Sequence, residues 1–188
     1  MNFEKSVYSI NKGLWGTSVG GKETLRSDTT LPEDAWPTQL SRHGEEELKL
    51  VFQKGDLVSV NDKTFQRPID AIIYLQSIAG PYAIGRDIHV GDTIIGIKGR
   101  VGFEAAAPML IIKAHHLLEK HVLTKWQINL KKQLADFYGN FVHEGQLLDP
   151  VMRDIEDFFL SSQEHVSGIV YIQLHPYRFV LKGISSDY

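Results

Sequence analysis

The sequence predicts an α+β fold: a mixed or antiparallel β-sheet with packed helices, preceded by a long irregular N-terminal arm. Segments with strand-like alternation and segments with helical spacing form separate clusters instead of alternating strictly along the chain. Hydrophobic residues make up 43% of the 188 residues, which suits one domain with its own core. Residues 1–45 are instead rich in Gly, Ser, Thr, Asp and Pro. We therefore expect a single domain over 1–188, with an arm (1–45) and an α+β body (46–188).

Composition excludes several classes of protein. The chain has no cysteine, which rules out disulfides, thiolate metal sites and cysteine nucleophiles. Its net charge of −3 and its dispersed basic residues argue against nucleic acid as a partner. The longest apolar run, 105–112, is interrupted by Pro108 and is far shorter than the roughly 20 residues of a membrane span. The N-terminus lacks the apolar core of a signal peptide, so we expect a cytoplasmic protein without a membrane partner.

The arm contains Trp15 and Trp36, and aromatic residues are depleted from disordered chains, so we expect it to pack on the body. Beyond the arm, charged and apolar residues alternate over 46–53, Gly55-Asp56 provides a turn, and 57–60 continue the pattern, which predicts a β-hairpin. Pro68 suits the first turn of a helix over 68–79, and Gly80-Pro81 ends it.

The second half of the body begins with a glycine-punctuated stretch, 84–104, that predicts β structure. Helical spacing follows, and Thr124 and Asp149 are suitable N-caps. The predicted helices span 108–121, 125–142 and 150–165, and two final strands, 166–174 and 177–181, flank the turn at His175-Pro176.

Three local patterns invite a chemical interpretation, and in each case the residues favour a structural one. The stretch 16–22 matches the start of a phosphate-binding loop, but Glu23 stands where Ser or Thr is required. His115, His116 and His121 lie near Glu119 without the H-E-x-x-H spacing, so we favour a polar helix face and expect no metal.

The third pattern is the glycine-rich stretch at 85–104. Lys98 and Arg100 flank Gly99 and could hold a carboxylate or a phosphate, although a sheet with tight turns explains the same residues more simply. In the arm, the small polar residues Ser9, Asn11, Thr17 and Ser18 could likewise orient a ligand or serve as turn residues.

Two stretches of the sequence resemble a known family. Y-S-I-N-K-G-L-W-G-T-S at 8–18 resembles a segment of the argininosuccinate synthases that begins W/Y-S and runs to a second serine. Residues 84–107 resemble the family's G-x-G-R-x-D-x-V-E-N-R-x-x-G-x-K-S-R-x-x-Y-E-T-P, without gaps. The matching positions are Gly85, Arg86, Val90, Gly96, Lys98, Arg100 and Glu104.

The resemblance covers essentially the whole chain and implies a function. This family joins citrulline and aspartate in arginine biosynthesis, using ATP with magnesium and releasing AMP and pyrophosphate. Its ATP site carries an S-G-G-x-D-T-S loop in an N-terminal domain, and that string does not occur here. The resemblance therefore implies the C-terminal substrate-binding and oligomerisation domain of a ligase, inactive and without a bound cofactor when isolated. Its expected partners are its own N-terminal domain and, as in the family, the other subunits of a homotetramer.

The resemblance also implies a citrulline site, although it identifies no catalytic residue. Ser9 and Ser18 fall on two serines that contact citrulline, and the family's glutamate and tyrosine contacts fall on Gly91 and Phe103. Gly91 leaves space where a carboxylate would hold the amino group of the ligand, and Asp92 or Glu104 could substitute. We expect both serines to face one pocket near Phe103. The missing functional groups keep an alternative open, a non-catalytic scaffold or regulatory module that has retained the fold.

Overall fold

A computed structural model describes residues 7–188 and confirms the α+β class. Within that range the strands are β1 (Ser9–Gly13), β2 (Gly16–Gly20), β3 (Glu46–Gln53), β4 (Asp56–Val60), β5 (Lys63–Thr64), β6 (Arg86–Asp92), β7 (Lys98–Glu104), β8 (Gly168–His175) and β9 (Arg178–Ser185). They form two antiparallel sheets, one with the order β1-β2-β7-β6 and one with the order β5-β4-β3-β8-β9.

The helices begin and end within two residues of their predicted positions. Thr124 and Gln127 form a capping box, in which Thr124 Oγ1 accepts from the Gln127 amide at 3.3 Å and Gln127 Oε1 accepts from the Thr124 amide at 2.9 Å. Asp149 Oδ1 accepts from the Val151 amide at 3.0 Å. No helix within residues 7–188 has the length and apolar character to cross a membrane. The helices are α1 (Pro68–Ala79), α2 (Ala106–Val122), α3 (Lys125–His143) and α4 (Val151–Gln163).

The main core lies between the five-stranded sheet and helices α1 and α2. Strand β3 alternates as its sequence predicts, so that Leu48, Leu50 and Phe52 are all at most 2% exposed. Helix α2 contributes Leu110, Ala114 and Leu118, which follow one another at intervals of four residues and are fully buried. The predicted hairpin (β3 and β4) and the final strand pair (β8 and β9) thus belong to one sheet, which has an apolar face toward the helices.

The N-terminal arm is more regular than its sequence suggests. Residues 9–20 form a hairpin, β1 and β2, and β2 pairs with β7. Only Thr17 and Val19 of this hairpin are buried, so its sequence lacks the alternating apolar residues by which a strand is recognised. Residues 21–45 are mostly irregular apart from two short 3₁₀ turns, and residues 1–6 of the predicted arm lie outside the described range.

A small second core fixes the arm to the first sheet. Val19, Leu31, Ala35 and Trp36 form a buried cluster on one side of that sheet. The expectation that the arm packs is therefore confirmed for Trp36, which is 7% exposed. It is wrong for Trp15, which lies at the turn of the β1–β2 hairpin and is 49% exposed.

Candidate functional site

The candidate site is the side of the four-stranded sheet that faces away from the small core. Ser18 on β2 lies opposite Asn11 on β1 and opposite Phe103 on β7. Ser9 lies opposite Gly20, two residues from Ser18. Cross-strand partners project to the same side of an antiparallel sheet, as do residues two apart. Ser9, Ser18 and Phe103 therefore share one face.

The same register adds Gly91 to that face. Gly91 on β6 lies opposite Gly99, which is four residues from Phe103 on β7. All four residues that the family resemblance selected are thus on one surface, which we call the outer face. Their role as citrulline contacts stays a prediction.

Phe103 crosses the outer face beside the two serines. A Cβ atom added to Gly16 would lie 2.3 Å from Phe103 Cζ, so the phenyl ring rests against the Gly16 backbone. Gly16 has φ +146°, so a side chain there would be strained as well as blocked. Phe103 is half-buried and held in place, with part of its ring accessible beside Ser18.

The space at Gly91 is not empty, contrary to the expectation from sequence. A Cβ atom at this position would lie 2.8 Å from His89 Nε2, because the imidazole of His89 leans over Gly91. His89 and Gly91 also line a shallow groove of about 510 Å³, which continues along the turn between β6 and β7.

The two carboxylates that were considered as substitutes do not reach the outer face. Asp92 follows Gly91 in β6, so it projects to the other side, where Lys98 Nζ lies 2.5 Å from its Oδ1. Glu104 is 8% exposed and accepts hydrogen bonds from Thr38, at 2.6 Å from Oγ1 and 3.3 Å from the amide. The proposed substitution by either residue is wrong.

Sequence reasoning missed two residues that do lie on the outer face. Asp87 is directly opposite Phe103, and His89 is opposite Val101. Both are exposed. They are four and two residues before Gly91, so the period of two in a strand could have identified them once β6 was recognised. Asp87 is the carboxylate that the register brings beside Phe103.

Two arginines of the segment 84–107, Arg86 and Arg100, hold the arm against the first sheet. Arg100 donates to the Thr29 carbonyl at 2.6 Å and also to the Arg26 carbonyl. Arg86 pairs with Glu33 at 2.7 Å, and its guanidinium lies 5.5 Å from the centre of the Trp36 ring. The structural interpretation is thus supported for Arg100, whose guanidinium donates to backbone carbonyls of the arm. Lys98 is 69% exposed and pairs with Asp92 at 2.5 Å.

The other two local patterns also have structural explanations. The segment that resembles a phosphate-binding loop is strand β2 followed by a 3₁₀ turn, and its backbone pairs with β1 and β7. His115 Nε2 lies 2.9 Å from Gln163 Oε1, within a hydrogen-bonded cluster that includes Glu119. Among residues 7–188 there is no group of three or more side chains suited to hold a metal ion.

Comparison with known proteins identifies the family of the chain. The family model described as the argininosuccinate synthase C-terminal domain matches residues 8–188. The chain belongs to this family. It is 33% identical over 188 residues to an argininosuccinate synthase of Methanocaldococcus jannaschii and 36% identical over 185 residues to that of Dictyoglomus turgidum. It is also 33% identical over 178 residues to that of Xanthomonas campestris.

The match is to one part of these argininosuccinate synthases. The alignments cover 98% of this chain with the first two relatives and 90% with the third, but only 47%, 46% and 43% of the relatives themselves. The chain therefore spans about half the length of the curated relatives it matches.

Proposed function

We propose that this chain is the C-terminal substrate-binding and oligomerisation part of an argininosuccinate synthase, a cytoplasmic ligase of arginine biosynthesis. The complete protein would join citrulline and aspartate with ATP, releasing AMP and pyrophosphate. Family membership supports the proposal, and one structural observation carries it. Residues from β1, β2, β6 and β7 that are up to 94 positions apart, from Ser9 to Phe103, lie on one face of a single sheet.

The outer face has the chemistry to orient a polar amino acid. Ser18, with Ser9 and Asn11 beside it, offers hydroxyl and amide groups for a ureido group or a carboxylate. The accessible part of the Phe103 ring can pack against the aliphatic chain of the ligand. Asp87, opposite Phe103, is placed to accept hydrogen bonds from an ammonium group.

The role proposed for this chain in the reaction is positioning. In the complete protein the ureido oxygen of citrulline would attack the α-phosphate of ATP and expel pyrophosphate, and the aspartate amine would then displace AMP. Holding the reactants in line can supply a large part of such a rate enhancement. We assign ATP and its magnesium ion to the N-terminal part of the complete protein, because the segment of this chain that resembles a phosphate-binding loop begins as strand β2.

Helix α3 supports the oligomerisation role, which in this family is formation of a homotetramer. Trp126, Leu130, Phe137 and Phe141 fall on one side of this helix, since they are separated by four, seven and four positions. Three of them, Trp126, Leu130 and Phe137, are 73%, 45% and 44% exposed. An apolar stripe of this kind on a helix without buried residues is typical of a surface that another protein covers.

A second candidate is a non-catalytic scaffold that has retained the fold. One observation favours it: Gly91 and Phe103 lack the carboxylate and the hydroxyl of the family, and His89 occupies the space beside Gly91. Ligation by the complete protein distinguishes the two candidates.

The test joins this chain to the remaining part of the Methanocaldococcus jannaschii argininosuccinate synthase, which this chain does not match. We expect argininosuccinate formation, and we expect Ser18→Ala to raise the KM for citrulline about 2- to 13-fold, the effect of losing one hydrogen bond. The KM for ATP should stay unchanged. Ser27→Ala, which alters an exposed serine outside the outer face, is the matched control.

Two results would contradict the proposal. Equal increases in both KM values would indicate a damaged fold instead of a lost citrulline contact. A folded joined protein that binds ATP and forms no argininosuccinate would favour the scaffold.

A further inference from the structure

A second concave surface lies between α2, α3 and β9, and none of the outer-face residues lines it. This groove has a volume of about 520 Å³, within the range of small-molecule sites. Leu117, Ile128, Ala135 and Leu181 give it an apolar floor. We call it the α2–α3 groove.

The rim of the α2–α3 groove is cationic. Of the described residues, four lysines line it, two on each helix, together with His116 and the carboxylates of Glu119 and Asp136. The lining thus has a surplus of two positive charges in a chain whose net charge is −3. The rim lysines are Lys113, Lys120, Lys131 and Lys132.

Glu119 is already engaged and cannot neutralise the rest of the rim. It is 5% exposed, and its Oε1 lies 2.9 Å from Lys131 Nζ and accepts from Gln163 Nε2 at 2.8 Å. Among the described residues, Lys113 and Lys132 have no ion pair. Their ammonium groups stay available to a ligand.

The pKa of His116 agrees with a positive local potential. Burial lowers this pKa below its usual value, and Glu119 opposes the shift. Lys131, Lys113 and Lys120 lower it further. At neutral pH the imidazole is therefore uncharged and adds a polar but neutral group to the rim.

The α2–α3 groove is separate from the apolar stripe assigned to oligomerisation. Residues of an α-helix are about 100° apart around the axis. Ala135 is nine positions from Trp126 and so lies about 180° around the helix from it. A protomer that covers the stripe would leave this groove open.

We propose that the α2–α3 groove binds a small organic anion with an aliphatic body. The apolar floor covers the aliphatic part, and the free lysines at the rim, Lys113 and Lys132 among them, hold the negative group. A concave site of this size suits a small molecule better than a membrane surface, which would need a convex cationic face.

The test is an NMR titration of the ¹⁵N-labelled chain with octanoate, inorganic phosphate and octylammonium. We expect octanoate to perturb amides of α2 and α3 with a Kd on the order of 1 mM, as suits a ligand with few atoms. Phosphate, which lacks the aliphatic body, should bind more weakly, and octylammonium should not bind. Equal binding of phosphate, or binding of octylammonium, would overturn the proposed ligand class.

Variants test the site itself. Lys113→Gln with Lys132→Gln removes two exposed charge contacts and should weaken octanoate binding about 2- to 30-fold. Ala135→Phe, at an exposed helical position, should fill the groove and abolish binding. The matched control is Lys12→Gln with Lys125→Gln, two exposed lysines outside the groove. No octanoate binding, or equal loss in the double variant and its control, would overturn the proposal.

Discussion

Replacement of Glu104 tests directly whether the arm is attached to the first sheet beside the small second core. It follows Phe103 in β7, but its carboxylate points to the other side of the sheet, where it is 8% exposed. Thr38 donates to it at 2.6 Å and 3.3 Å, and Arg86 Nε lies 3.8 Å away. These contacts attach the arm to the strand that supports the outer face.

The change Glu104→Gln keeps the shape of the side chain and removes its charge. A hydrogen bond to a charged group contributes about 1.5–3 kcal/mol and a neutral one about 0.5–1.5 kcal/mol. The new amide also brings a donor into a site that offers donors from Thr38 and Arg86, and an unsatisfied buried group costs about 1–3 kcal/mol. We therefore expect a loss of about 2–4 kcal/mol in the free energy of unfolding.

Thermal and urea unfolding followed by circular dichroism measure this loss. For a domain of this size, about 1 kcal/mol lowers Tm by roughly 2–4 °C, so we expect a decrease of roughly 4–16 °C. Asp92→Asn is the control, since its pair with Lys98 is more than 60% exposed on both sides and should contribute less than about 1 kcal/mol. If Glu104→Gln is no more damaging than Asp92→Asn, the carboxylate does not fasten the arm.

Three further predictions concern the helices. Thr124→Ala removes the capping box of α3 and should lower the free energy of unfolding by about 0.5–2 kcal/mol in urea titrations. Burial lowers the pKa of His115, so the unfolded chain binds a proton more readily than the folded one; stability should fall as pH drops below about 6.5, and His115→Gln should flatten this dependence in unfolding measured between pH 5 and 8. Light scattering across a dilution series should detect self-association, which Leu130→Gln with Phe137→Gln should weaken; a strict monomer at high concentration would contradict the proposed stripe.

The sequence predicts the body of the domain well because its signals are local. Thr124 marks the start of α3, and β3 alternates with a period of two. The β1–β2 hairpin escaped prediction because its stability comes from pairing with β7, whose residues are about 85 positions away. The same reason hides the partners of Arg100, which are backbone carbonyls of the arm and carry no side-chain signature.

For the candidate site, the sequence alone offered only small polar and basic residues, and the family resemblance selected Ser9 and Ser18 and added Gly91 and Phe103. The pairing of Ser18 with Phe103 depends on the strand order, which no local pattern encodes. The β6–β7 register also identifies residues that the resemblance did not select. It places Asp87 and His89 on the outer face and Asp92 and Glu104 on the other side of the sheet.

The most direct test of the outer face as the substrate site is the NMR response of the chain, joined to the remaining part of the Methanocaldococcus jannaschii relative, to citrulline. With only residues 7–188 labelled, we predict that the largest amide shifts fall on β1, β2, β6 and β7, around Ser9, Ser18, Gly91 and Phe103. Shifts concentrated in the α2–α3 groove or around Trp36 in the small core, with none on the outer face, would contradict the account.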